Sequence, residues 1–337
     1  MIDDSQFGSR DRRGDWLPHD PVAYPPAPWR LHLFLKWIFK IPGYLFPWTI
    51  SYVALSAVIW LYATPSIETM RTFSISWLAF LLARNLVVVS AVYGAWHYFL
   101  YIKRTQGSRF KLNGRWPAVD NDTFLFKRQN ADNLFWSLAS GVPIWTAWEA
   151  FGYWMFANHY VRWIDFHRNP IMFCAIVVLI PVFHDLHFYL VHRFLHWPPM
   201  YRMVHRLHHN AVNVGPWSGL SMHPVEHLLY FSGVLIHFVV PSHPFHVLFQ
   251  LLATGLGPAR GHAGFDRLAL NGRQTMPLHT QMHYLHHKYF ECNYGDGPLP
   301  LDRWAGTFHD GSAEAKERIT RRFMERADRM GIGRKVG

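Results

Sequence analysis

The sequence predicts an all-α, polytopic membrane protein with about four transmembrane helices, a re-entrant helical hairpin and a cytosolic helical histidine-box lobe. Three features of the 337-residue chain carry this expectation. Half of the residues are apolar, and they gather into four stretches, 43–62, 75–99, 134–157 and 171–190. Each is near the roughly 20 residues that cross about 30 Å of hydrocarbon. Trp or Tyr sits near at least one end of each, where an amphipathic ring anchors at the interface. Basic residues crowd the connection "YIKRTQGSRFKLNGR", and histidines crowd the segment at the end of the fourth stretch.

Residues 1–40 mix acids and prolines, lack a signal-peptide layout and read as a mobile cytosolic segment. Residues 41–170 form the transmembrane stem. Its basic connection at 102–133 belongs in the cytoplasm, which places "ATPSIETMRTF" and "NHYVRWIDFHRN" outside and returns the chain inside after the fourth stretch. Arg84 and Glu149 then lie at matching depths within apolar segments, and a charge there is expected to be paired. Residues 171–310 are the histidine-box region. Within it, 228–256 is apolar but broken by "PSHP", and halves of about 20 Å are too short to cross. A membrane hairpin follows, and it keeps the histidines before and after it on one side. Residues 311–337 read as a basic amphipathic helix with Ile319, Phe323, Ala327 and Met330 on one stripe, resting on anionic lipid or packing on the lobe.

The histidine spacing indicates a metal centre. His192 and His196 are four residues apart, and His205, His208 and His209 fall within about 100° of helical arc. His283, His286 and His287 repeat the second pattern. Neutral imidazole is a common ligand for iron, zinc and copper, and a shared face lets several nitrogens converge. Eight histidines exceed one tetrahedral zinc site, so two ions fit the count better. Asp185 falls between His192 and His196 on the helical wheel, where a carboxylate orients a ligand imidazole, touches a metal or serves the helix end. His223 and His227 in "HPVEH", His262 in "GHAGFD" and His279, four before His283, are further candidates. "HPVEH" does not carry the glutamate of HExxH zinc proteases, which counts against a zinc hydrolase.

Beyond the boxes, "DLHFYLVHRFLH", "HPVEH" and "NYGDGPLPLDRWAGTF" resemble motifs of the fatty acid hydroxylase/sterol desaturase superfamily over about 184–308. The resemblance implies a four-helix stem, a cytosolic lobe with two iron ions, O2 as co-substrate and hydroxylation or desaturation of a lipid C–H position. It implies His192, His196, His205, His208, His209, His283, His286 and His287 as ligands, with His223, His227, His262 and His279 able to complete the set. A separate electron donor is expected, a ferredoxin or a cytochrome b5-type protein with its reductase. The expected location is an inner or plasma membrane in a bacterium and the endoplasmic reticulum in a eukaryote. The physics agrees, because breaking an aliphatic C–H bond needs a redox metal shielded from water. Phe231, Phe238, Phe245 and Phe249 of the hairpin are candidates for the wall of a lipid channel.

Other classes fit less well. The formal charge of +11 raises the question of nucleic acid, but the basic residues follow the loop pattern of a membrane protein. Two cysteines without a CxxC give no disulfide framework or zinc ribbon. The alternative is a non-catalytic histidine-rich membrane protein that binds metal or haem; it would distribute its ligands through the membrane segments rather than at one end.

Overall fold

A computed structural model describes residues 3–19, 30–270 and 274–329. Helices dominate. α1 (Leu31–Phe39) precedes α2 (Trp48–Tyr62) and α3 (Ile75–His97), which runs on as a π turn to Ile102. α4 (Gln129–Trp136) and α5 (Val142–Ala157) are one rod interrupted by a π turn at Ser137–Gly141. Pro143 begins the second half and lacks the N–H that a regular turn would use there. α6 (Pro170–Leu195) opens with proline at its first position, where no intrahelical donor is needed. The continuous helix 75–102 and α6 are long and apolar enough to cross a membrane.

Short helices α7 (Pro198–Met200) and α8 (Arg206–His209) follow, joined by a π turn. α9 (Pro224–Phe231) and α10 (Ile236–Val239) form the first limb of the hairpin, and α11 (Pro244–Gly261) the second. α12 (Gln281–Tyr289), α13 (Leu301–Trp304) and α14 (Ala313–Arg329) complete the helical set. Two antiparallel ribbons were not foreseen: β1 (Gly8–Arg10) with β2 (Trp16–Pro18), and β3 (Arg267–Ala269) with β4 (Thr275–Pro277).

The hairpin departs from expectation. Its second limb does not stop near residue 256 but continues to Gly261, a rise of about 27 Å. Its apex bonds to the 158–169 loop, with Ile164 N–H on the Ser242 carbonyl at 2.8 Å, and the His243 ring packs on Trp60 and Trp163. The limb therefore reaches the end of the bundle opposite the histidines. α11 is also its centre, packed against α2, α3, α5 and α6 with 14 of its 18 residues buried. Gly255 permits this approach, since a Cβ there would lie 2.4 Å from the Trp145 ring.

The expected contact between Arg84 and Glu149 is present, with the guanidinium bonded to the carboxylate and both side chains buried. Asn85 Nδ2 donates to the other carboxylate oxygen at 2.9 Å, and Arg84 also bonds the Ala63 carbonyl. Within the segment 1–40, residues 3–19 pack on the rest of the chain. There Trp16 is buried against Phe110, and Asp4 pairs with Arg109. At the other terminus Ile319 of the expected stripe is buried, as is Ala315 one turn earlier, whereas Phe323 is 38% exposed. Met330 and the side chain of Ala327 lie outside the described residues.

Candidate metal centre

Four parts of the chain deliver nine imidazoles to one place. The last turn of α6 supplies His192 and His196, the π turn and α8 supply His205, His208 and His209, and α12 supplies His283, His286 and His287. His262 caps the C-terminal end of α11. They form two groups: His192, His196, His205, His209 and His286; and His208, His262, His283 and His287. Within each group the potential ligand atoms all lie within 4.8 Å of one another. Helical pairs four apart stay together (192/196, 205/209, 283/287), while His208 and His286 cross to the group opposite their helical neighbours. The two triplets are thus interleaved, and the His209 and His287 rings are 4.8 Å apart at the junction.

Hydrogen bonds fix which nitrogen faces inward. His192 Nδ1 donates to the Tyr294 carbonyl at 2.7 Å, His286 Nδ1 to the Cys292 carbonyl at 2.7 Å and His208 Nδ1 to the Ser221 carbonyl at 3.2 Å. A carbonyl only accepts, so in each ring the proton is on Nδ1 and the Nε2 lone pair is free. Ser218 Oγ donates to the Gly215 carbonyl, which leaves it to accept from His262 Nδ1 at 2.9 Å. His205 Nδ1 meets the buried Glu226 carboxylate at 2.7 Å.

Several inward Nε2 atoms approach to 3.0–3.2 Å, as for His209 with His196, His205 and His286. Burial, and then the neighbouring imidazoles, hold His205, His209 and His286 well below the usual histidine range; burial, and then His208, lowers His283 to about 3. Neutral lone pairs turned on one another repel unless a cation lies between them, so the donor set fits metal ions. With about 2.1 Å from nitrogen to metal, a tetrahedral site would separate the nitrogens by about 3.4 Å. The separations within each group, from about 3 Å up to 4.8 Å, bracket that value.

Not every expected site residue joins the groups. His227 is used on both nitrogens, by Ser140 Oγ and the Leu220 carbonyl, each at 3.0 Å. His223 caps α9 through Val225 N–H. His279 precedes α12 rather than extending it, with φ of 57°, and so leaves the helical face shared by His283 and His287. Asp185, expected to orient a ligand imidazole, instead accepts from Leu299 N–H at 2.7 Å. It anchors the 294–299 loop, and the Tyr294 carbonyl of that loop orients His192.

Two further carboxylates went unassigned by spacing. Glu226 holds His205, and fully buried Asp302 accepts from Tyr294 N–H at 3.0 Å and Gly295 N–H at 2.8 Å. Their only signal was membership of "HPVEH" and "LDRWAGTF". Such outer partners usually govern metal affinity by about 10- to 100-fold. Glu226→Gln, which keeps the shape but removes the charge, is expected to weaken metal retention within that range. Chelator titration of the purified chain measures it.

A cavity of about 960 Å³ leads to the groups and is lined by His192, His205, His208, His262 and His283. Ile180, Phe188 and Phe249 form part of its apolar wall. Of the hairpin phenylalanines only Phe249 lines it. Phe231, Phe238 and Phe245 pack on Trp145, Phe151 and Phe173.

The family model for fatty acid hydroxylase matches residues 177–307, the segment that carries all nine imidazoles. These residues belong to the fatty acid hydroxylase/sterol desaturase superfamily. The chain is 32% identical over 130 residues to the Delta(7)-sterol 5(6)-desaturase of Saccharomyces cerevisiae, covering 37% of this chain and 34% of that protein. A Gibberella zeae enzyme of the same name is 31% identical over 133 residues, covering 39% and 40%. The Candida glabrata enzyme is 28% identical over 156 residues, covering 44% and 40%. The match thus spans well under half the length of each relative. No solved structure matches the chain.

Proposed function

We propose that this protein is a membrane di-iron oxygenase that uses O2 and external electrons to hydroxylate, or alternatively desaturate, an aliphatic position of a lipid. One observation carries the reading: two groups of neutral imidazoles, their lone pairs converging, at the wall of a large part-apolar cavity. Five histidines would hold one iron and four the other. The ions would supply the redox chemistry that C–H cleavage requires, since no side chain can provide it. The chain's own residues do the rest. Ile180, Phe188 and Phe249 keep water from the reacting carbon. The Tyr294, Cys292 and Ser221 carbonyls, with Ser218 and Glu226, lock the ring orientations. Asp185 and Asp302 hold the loop that presents Tyr294.

The four-span topology, with the centre on the cytoplasmic side, gives lipid lateral access and leaves the outer face of the lobe for a separate donor. Arg193, Arg202 and Arg206 are exposed beside the part-exposed His196, a surface suited to an acidic ferredoxin or cytochrome. The sterol named for the matched relatives makes a sterol or sterol-like lipid one substrate to test. Cells with and without the gene, grown under labelled dioxygen, are expected to differ by one lipid carrying one labelled oxygen. A lipid that has lost two hydrogens without label assigns desaturation instead. Identical lipid profiles overturn the proposal.

A further inference from the structure

The cavity has a charged rim that the oxidation chemistry does not use. α1 contributes Lys36 and its C-cap Lys40, both exposed, and the wall adds Arg260, Arg267 and His279. Lys40, Arg260 and Arg267 are the electrostatic neighbours of His279, which places the four side chains around one part of the opening. Among the described residues, none of the four cations forms a salt bridge. Arg260 lies over the Trp48 ring and bonds the Leu278 carbonyl, yet its Nε is buried without a partner. Arg267 lies over Phe7 and bonds Thr275. Four carboxylates line the cavity; Asp185 is taken by Leu299 N–H and Glu226 by His205 at the histidine end, which leaves Asp266 and Asp296 against the four cations, a positive surplus at this rim.

A bare apolar lipid, or a sterol with one hydroxyl, gives these cations nothing to neutralise. The face of α1 around the lysines is apolar and exposed, with Leu31, Leu35 and Phe39 at 62%, 43% and 59%. Such a helix lies in the head-group layer, apolar side chains down, and so sets its lysines at the depth of lipid phosphates. We propose that the cavity selects a lipid with an anionic head group, seated against Lys36, Lys40, Arg260 and Arg267 while its apolar chain runs toward the histidines. This rests on reading the cavity as the lipid site, and it departs from a neutral sterol as the preferred substrate.

Native mass spectrometry of the full chain in neutral detergent tests this without turnover. The probes are phosphatidylglycerol and phosphatidylcholine of identical acyl chains at equal concentration, with cholesterol as a third competitor. Phosphatidylglycerol is expected to dominate. Lys36→Gln/Lys40→Gln, confined to exposed positions, is expected to cut that preference by about 30-fold, at roughly fivefold per surface lysine. Arg318→Gln/Arg321→Gln, on the exposed face of α14, is expected to leave it unchanged. Equal binding of the three lipids overturns the proposal, as does equal loss in both double variants. So does displacement of phosphatidylglycerol by millimolar inorganic phosphate, which would make the rim a free-anion site. A retained preference with no lipid oxidation in cells would instead count against the oxygenase reading alone.

Discussion

Replacing His209 and His287 together by alanine is expected to empty the centre of metal and to reduce lipid oxidation by more than about 100-fold. The two rings belong to different groups and stand at the junction between them. The His209 Nε2 lies within 3.2 Å of the Nε2 atoms of His196, His205 and His286. Removing it leaves four donors around a void, and removing His287 leaves three in the other group. Loss of an outer partner already weakens such sites by about 10- to 100-fold, so loss of a direct donor exceeds that. His209→Ala and His287→Ala singly are expected to retain about half the bound metal, because each leaves the opposite group whole. Metal-to-protein ratios by mass spectrometry, with His167→Ala in the exposed 158–169 loop as control, decide the matter. Full metal content in the double variant would refute the two-group assignment.

The same geometry shows how far the sequence alone could be read. Eight of the nine clustered histidines were legible because i, i+4 and i, i+3 spacing is a local property of a helix. Their division into groups was not. His208 and His209 are adjacent in the chain but serve different groups, and only the packing of α8 against α12 decides which faces which. His262 was legible only as one lone histidine among several. Its place depends on where α11 ends, and that depends on how deep the hairpin reaches. The sequence estimate ended the limb at residue 256, just before Gly257 and Pro258. In the structure the helix continues through both, and the Thr254 carbonyl that Pro258 cannot bond accepts instead from Tyr230 O–H at 2.8 Å.

Polar partners were less legible than ligands. Asp185 was expected beside an imidazole from its position on the helical wheel, but a wheel describes one helix and not the loop that packs over it. That loop takes the carboxylate through Leu299 N–H, and Tyr294 then does the orienting through its backbone. A backbone carbonyl has no sequence signature, so three of the five fixed tautomers could not have been foreseen. Glu226 was in plain view but was weighed as a failed protease motif. The Arg84–Glu149 contact was legible for the opposite reason: a charge within an apolar segment permits few solutions.

Removing one partner of that pair is expected to have the largest effect on stability. Arg84 and Glu149 lie on α3 and α5, with side-chain exposures of 7% and 0%. Glu149→Met leaves a buried guanidinium with only the Asn85 amide and the Ala63 carbonyl to accept from it. Breaking a buried pair in this way costs about 3–5 kcal/mol, because the remaining charge is desolvated without compensation. Arg84→Met strands the carboxylate, which keeps one bond from Asn85, and is expected to cost a similar amount. Arg84→Met/Glu149→Met removes both charges and substitutes flexible apolar volume, so it is expected to fall within about 1 kcal/mol of the parent. The two single losses should therefore greatly exceed the double loss, a coupling of several kcal/mol. Unfolding in detergent, followed by tryptophan fluorescence, supplies the cycle. A double variant as unstable as the sum of the singles would mean that the two charges are held independently, Arg84 by its carbonyl and Glu149 by Asn85. The α3–α5 seam would then owe its stability to the apolar packing around Trp77, Leu81 and Tyr153 rather than to the ion pair.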